Sequence, residues 1–208
     1  MTKQEWLITL DPLKVFQSIA ERRPSGRKLR LAAVACCRRI WHLLTDERSR
    51  AAVDAAEKYA EKIITSSDAM EYEGPASDVC DGSREYGSEP GHAAAVCLAL
   101  WAPTHWGTFQ VLQWTREQVG RKDQMEILDC VFGIPYRRPA LCNPSWLTST
   151  VLALATGIYE EKAFDRLPIL ADALQDAGCD SEEFLDHLQQ PGEHGRGCWP
   201  LDLILGKE

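Results

Sequence analysis

Apolar residues recur at three- and four-residue spacing along most of this chain, the period of a helix that buries one face. The clearest pattern runs from about residue 26 to residue 44. The positions on its predicted buried face are Leu29, Ala33, Cys36, Cys37, Ile40, Trp41 and Leu44. Arg27, Arg30 and Arg38 lie largely off that face. Because no segment shows the alternation of a half-buried strand, we predict an all-α fold of about eight or nine helices.

Helix start signals divide the rest of the pattern. Asp11 with Pro12 and Asn143 with Pro144 each combine an N-cap residue with a proline at the first helical position. A capping box at residues 2–5 predicts a short helix through residue 10. Further helices are predicted at about residues 46–64, 93–101, 104–119, 122–132 and 144–158.

The C-terminal segment, residues 163–208, is predicted to form a helical hairpin followed by a tail that packs back on it. The apolar face of the first helix consists of Leu167, Ile169, Leu170, Ala173 and Leu174. Asp165 is the predicted N-cap of this helix, and Gly178 is the residue that ends it. Asp180 with Glu183 resembles a capping box and predicts the start of the second helix.

Residues 65–92 interrupt the helical pattern. They contain seven acidic residues against one arginine and show no sustained periodicity. Such a composition is typical of a long loop or an insertion. We therefore expect a single all-α domain over residues 1–208, from which an acidic loop of residues 65–92 projects.

Charge is distributed unevenly along the 208 residues, whose formal net charge is −8. Residues 1–50 have an excess of six positive charges, and residues 155–208 have an excess of eight negative charges. These ends can dock on each other or bind partners of opposite charge.

The N-terminal residues are interrupted by charges and a proline, and no stretch approaches about 18 uncharged apolar residues, so we expect neither a secretory signal nor a membrane span. Without a secretory signal, the eight scattered cysteines, which form no CxxC pair, are interpreted as reduced thiols in a cytoplasmic protein.

Six short pieces of the sequence stand out together: KLRL at residues 28–31, ACCRRIW at 35–41, VFGIPYR at 131–137, PSWL at 144–147, the run 163–179 and HGRGCW at 194–199. In these pieces the chain resembles a family of helical proteins encoded in many copies by planctomycete-type bacteria. The run 167–180 also resembles a short helical module of the same bacteria, with Ala173 where that module has Trp. The resemblance covers both ends of the chain and omits the acidic middle. It implies an all-α fold and transfers no activity.

A candidate metal site lies in the C-terminal segment. Cys179, His187, His194 and Cys198 carry thiol and imidazole groups, the ligands that zinc prefers, although their C-x7-H-x6-H-x3-C spacing matches no known zinc knuckle. Of these, Cys179, His194 and Cys198 are the predicted ligands, and zinc is the possible cofactor. Two alternatives remain open: the cysteines are small buried core residues, or one of them is a nucleophile activated by a histidine. The Cys36–Cys37 pair could add a thiolate from a distant helix.

The Arg-rich segment around residues 22–39 is the candidate partner-binding surface, with Arg27, Arg30 and Arg38 as the predicted contact residues. Arginines on one helical face can bind phosphates, but the protein is acidic and contains no recognised nucleic-acid-binding motif. Neither a phosphate-binding loop nor a catalytic motif is evident.

The function predicted first is a non-catalytic, cytoplasmic protein-interaction or accessory module with another protein as partner. The alternative is a zinc-stabilised helical domain that binds nucleic acid through the Arg-rich helix.

Overall fold

The computed structural model describes residues 11–82, 105–133 and 142–207. Every regular element within these ranges is a helix, which confirms the all-α prediction. The described ranges hold more separate helices than the eight or nine expected, because short helices divide the longer predicted segments. The helices predicted at residues 2–10 and 93–101 lie outside these ranges. None of the helices described is long and apolar enough to cross a membrane.

Contacts group the chain into two compact units, residues 1–128 and 129–208. Whether these units form the single domain expected over residues 1–208 stays a prediction.

The first unit contains seven of the α-helices that the structure describes: α1 (Pro12–Ala20), α2 (Gly26–Arg39), α3 (Glu47–Ala60), α4 (Ser66–Met70), α5 (Glu73–Gly82), α6 (His105–Trp114) and α7 (Arg116–Val119). The next helix, α8 (Arg121–Phe132), begins in this unit, and its last turn belongs to the second. The predicted start at Asp11 and Pro12 is confirmed, because the Asp11 side chain accepts a hydrogen bond from the Leu13 amide at 3.2 Å.

Helix α2 is at the centre of the first unit, where it packs against α3 and α6. Six residues of its predicted face are fully buried: Leu29, Ala33, Cys36, Cys37, Ile40 and Leu44. The α-helix ends at Arg39 rather than near residue 44, and a 3-10 helix, Trp41–Leu43, follows it. Trp41 is only half-buried, and the guanidinium groups of Arg38 and Arg50 lie 4.4 and 5.5 Å from the centre of its ring.

The expected acidic loop of residues 65–92 is wrong for residues 65–82, which are largely helical. Thr65 and Asp68 form a complete capping box at the start of α4, and α5 follows closely. Because these helices are short and mostly exposed, their sequence shows no apolar period. Residues 83–92 of the predicted loop lie outside the described ranges.

In the second unit, α9 (Ser149–Glu161), α10 (Leu167–Asp176), α11 (Glu182–Gln189) and α12 (Trp199–Leu205) follow the end of α8. Two 3-10 helices, Pro144–Trp146 and Phe164–Arg166, connect them. The helical hairpin predicted in residues 163–208 corresponds to α10 and α11, which pack together, and α12 packs on α9 and α11. The predicted tail thus folds back as a helix.

Phe184 of α11 is at the centre of the second unit's core and is fully buried. Its ring makes edge-to-face contacts with Trp146 at 5.8 Å and with Trp199 at 4.9 Å, an arrangement favoured by the aromatic quadrupole.

Three details of the C-terminal prediction are corrected. Asp165 lies in the 3-10 helix and Arg166 occupies the N-cap position of α10, because the chain turns once more before the helix begins. The second helix begins after Ser181 rather than after Asp180. Ile169 is 54% exposed and lies outside the predicted apolar face. Gly178, by contrast, has the left-handed φ of +85° expected of a residue that ends a helix.

Candidate metal centre

Four side chains of the second unit converge on one point: Cys130, His187, His194 and Cys198. Cys130 lies in the last turn of α8, and His187 lies in the last turn of α11. His194 lies in the connection after α11, and Cys198 is the N-cap residue of α12. Their two sulfur and two ring nitrogen atoms all lie within 4.8 Å of one another.

The aromatic core brings these elements together. His187 follows Phe184 by one turn on the buried face of α11. The Trp199 ring packs on both of them, with its centroid 5.4 Å from that of His187. Gly133, at φ +68°, follows the end of α8, and a Cβ atom there would lie 3.5 Å from the Trp199 ring. Packing around Trp199 therefore fixes the positions of Cys198 and Cys130 relative to His187.

The distances between the sulfur and nitrogen atoms match a tetrahedral metal site. Cys198 Sγ lies 3.4 Å from His187 Nε2 and 3.8 Å from His194 Nδ1, and Cys130 Sγ lies 3.6 Å from His194 Nδ1. Zinc bonds of about 2.3 Å to sulfur and about 2.05 Å to nitrogen, at a tetrahedral angle, separate the two atoms by about 3.6 Å. The side chains are thus already spaced as ligands of one ion.

The surroundings of Cys130 favour its thiolate form, the form that binds metals. The side chain is buried, as are those of His187 and Cys198, and His194 is half-buried. Hydrogen bonding with Cys198 lowers the pKa of Cys130 well below its ordinary value, and both histidines add to this against the effect of burial. Burial lowers the pKa of His194, but its interactions with Cys130, the Gln190 backbone and Asp129 together outweigh burial, so that this pKa is raised. A thiolate, the form of cysteine that binds metals, is therefore stabilised in the cluster.

The second ring nitrogen of His187 has three polar neighbours. The indole Nε1–H of Trp199 donates a hydrogen bond to His187 Nδ1 at 3.2 Å. The amide nitrogen of Gln190 lies 3.4 Å from Nδ1, and Asp129 Oδ2 lies 4.0 Å from it. These groups surround the buried imidazole on the side opposite the cysteines.

The sequence predicted part of this cluster. His187, His194 and Cys198 come together, but the group found among the described residues does not include Cys179. Cys179 precedes the first turn of α11 and His187 lies in its last turn, so the helix holds the two on the order of 10 Å apart. Burial also raises the pKa of Cys179, which favours its thiol form.

Cys130 is the member of the cluster that the sequence analysis missed. It lies far from the other three along the chain. It also lies in a helix with a periodic apolar face, where a small buried residue such as cysteine needs no further explanation. Cys36 and Cys37 are buried in the core of the first unit, and burial raises the pKa of Cys36 to about 12.

The predicted partner-binding arginines are engaged within the first unit. Arg27 forms an ion pair with Glu61 at 2.9 Å, and both side chains are nearly buried. Arg30 is only 6% exposed and its guanidinium stacks on the Tyr59 ring at 4.3 Å. Arg38 pairs with Asp54 and with Glu57. The structure therefore does not support a binding surface formed by Arg27 and Arg30, because the α2 positions assigned to the surface are covered by neighbouring helices.

No family model matches the chain, and searches of curated proteins and of solved structures also find no match. The resemblance to the planctomycete-type family stays a prediction.

Proposed function

We propose that the unit of residues 129–208 binds one zinc ion through Cys130, His187, His194 and Cys198, and that this ion stabilises its fold. The observation that carries the proposal is the spacing of the four ligand atoms, all within 4.8 Å of one another. The sulfur–nitrogen distances of 3.4 to 3.8 Å agree with the edges of a tetrahedral zinc site.

Zinc is the metal that best fits the donor set. Two thiolates and two neutral imidazoles in a tetrahedral arrangement are typical of zinc, whereas calcium and magnesium prefer oxygen ligands. The carboxylate of Asp129 lies 4.0 Å from Nδ1, the outer nitrogen of His187, and does not belong to the group of four.

A structural role for the ion follows from the number of protein ligands. Four protein ligands complete the tetrahedral shell, whereas catalytic zinc sites keep one position open for water or substrate. The burial of Cys130, His187 and Cys198 also limits access to the ion. We therefore propose a zinc-stabilised, non-catalytic helical module.

Two broader proposals accompany the zinc site. Thiolate ligands need a reducing compartment, which supports the proposed cytoplasmic location. A protein partner is still proposed on the sequence argument for an accessory module. Nucleic-acid binding through α2 has less support, because Arg27, Arg30 and Arg38 already have partners inside the first unit.

Elemental analysis of the purified full-length chain tests the proposal. We expect one zinc per chain in the unmodified protein and after Cys179→Ser, which changes a buried cysteine of the same unit outside the cluster. We expect the loss of bound zinc after Cys130→Ser or Cys198→Ser. Metal-free native protein that also fails to take up added zinc would refute the proposal. Loss of zinc from Cys179→Ser but not from Cys130→Ser would refute this ligand set.

A further inference from the structure

The hydrogen bonding of His187 does not suit metal binding as it stands. The site nitrogen is Nε2, which lies 3.4 Å from Cys198 Sγ, and the outer nitrogen is Nδ1. A neutral imidazole has one lone pair and one N–H group, so a metal bound at Nε2 requires the proton at Nδ1. The indole of Trp199 is a donor only, however, and its contact with Nδ1 at 3.2 Å requires the lone pair there. The contact therefore indicates the tautomer with its proton on Nε2.

A change of tautomer leaves the Nδ1–H group in need of an acceptor. Asp129 is a charged acceptor beside the ring, with Oδ2 at 4.0 Å from Nδ1 and its side chain only 24% exposed. It precedes the ligand Cys130 directly in the last turn of α8. Gln190 is the competing acceptor, since rotation of its amide would present an oxygen to Nδ1 at about the present 3.4 Å. The carboxylate is favoured, because hydrogen bonds to charged acceptors are stronger and because the charge increases the basicity of the bound imidazole.

We propose that Asp129 is a positioning residue of the metal site, which accepts the Nδ1–H hydrogen bond of His187 when the ion is bound and replaces the Trp199 indole as its partner. This inference rests on the proposed zinc site and adds an exchange between two states. In the metal-free state, Trp199 holds His187 with the proton on Nε2, directed at Cys198. In the zinc-bound state, the proton is on Nδ1, directed at Asp129, and Nε2 binds the ion.

The two partners of Nδ1 should therefore favour different states of His187. Asp129 stabilises the bound state, so Asp129→Ala should weaken zinc binding by about 10- to 100-fold, the usual effect of removing such a group. Asp129→Asn keeps a neutral acceptor and should lose less. Trp199 stabilises the metal-free tautomer, so Trp199→Phe should reduce the fraction of the metal-free His187 ring that carries its proton on Nε2. Gln190→Ala should change the affinity by less than about threefold.

The experiment combines zinc titration against a chromophoric chelator with nitrogen-detected NMR of the His187 ring, on the full-length chain. In the unmodified protein we expect one bound zinc, with a protonated Nε2 before zinc addition and a protonated Nδ1 after it. The NMR readout responds to the proton position and not to general loss of packing. A folded apo spectrum for Asp129→Ala, together with partial rescue by Asp129→Asn, separates loss of the acceptor from loss of the fold.

The outcomes distinguish this inference from the proposed function. If the unmodified protein binds no zinc, the proposed function fails, and this inference fails with it. If it binds zinc but Asp129→Ala binds equally well, the site stands and the role of Asp129 is refuted. A larger loss from Gln190→Ala than from Asp129→Ala would assign the role to Gln190. A protonated Nδ1 in the metal-free protein would refute the exchange with Trp199.

Discussion

Removal of zinc should lower the free energy of unfolding of the second unit. The law of mass action gives the size of this loss, and the length of the unit converts it into a change in Tm. At a free zinc concentration about 100 times Kd, binding to the folded state alone contributes about 2.7 kcal/mol. The unit comprises about 80 residues. For a domain of that size, 1 kcal/mol corresponds to a Tm change of about 4–8 °C. The expected effect of a chelator is therefore a decrease of about 10–20 °C.

Thermal unfolding followed by circular dichroism, with and without a chelator, measures this difference. Cys198→Ser should unfold at low temperature whether or not the chelator is present, because the ligand set is already incomplete. Cys179→Ser should keep the full response, since Cys179 lies outside the cluster and its substitution affects only core packing. A chelator effect below about 2 °C on zinc-loaded, unmodified protein would refute the reasoning, because an ion that binds the folded state must stabilise it.

Three further predictions concern side-chain packing around the site and in the first unit, and urea unfolding measures each of them. Leu201 is fully buried and Leu203, on the same helix, is 39% exposed. Leu201→Ala should therefore lower the free energy of unfolding by about 2–5 kcal/mol, and Leu203→Ala by less than about 1 kcal/mol. Equal losses would contradict the packing of α12. Arg27→Ala should cost about 3–5 kcal/mol, because it removes the ion pair with the nearly buried carboxylate of Glu61, and a second change, Glu61→Leu, should recover part of that loss. Trp41→Ala should cost about 1–2 kcal/mol, below the cost of a fully buried aromatic residue; a cost above 3 kcal/mol would place the ring in the core.

Periodicity predicted the longer helices well because each of them buries one face, and this depends on nearby residues; it missed α4 and α5, which are mostly exposed. It was less informative for the side chains beside that face. Helix α2 contacts α3 on one side and α6 on another, so that Arg30, which the pattern assigned to the surface, is buried against Tyr59. A sequence pattern identifies one apolar stripe, but it does not reveal how many neighbours cover the helix.

The metal site shows the same limit more clearly. His194 and Cys198 are four positions apart, and His187 lies one short connection before them, so a local pattern could predict them. Cys130 joins them only because α8 ends beside Trp199, a contact that depends on tertiary packing. Apart from Cys198, Cys179 is the cysteine nearest to the two histidines in the sequence, but helix α11 separates it from His187.

The long separation of Cys130 from the other three residues of the cluster indicates what the proposed ion would contribute. A unit of about 80 residues buries a small core and is only marginally stable by itself, so an added cross-link has a large effect. Joining Cys130 to His187 closes a chain segment of more than 50 residues, which costs about 3–4 kcal/mol of loop entropy. If zinc binds here, its main effect is therefore to hold the end of α8 against the C-terminal hairpin. Cys130→Ser should therefore lose the ion and, with it, the link between the end of α8 and the hairpin.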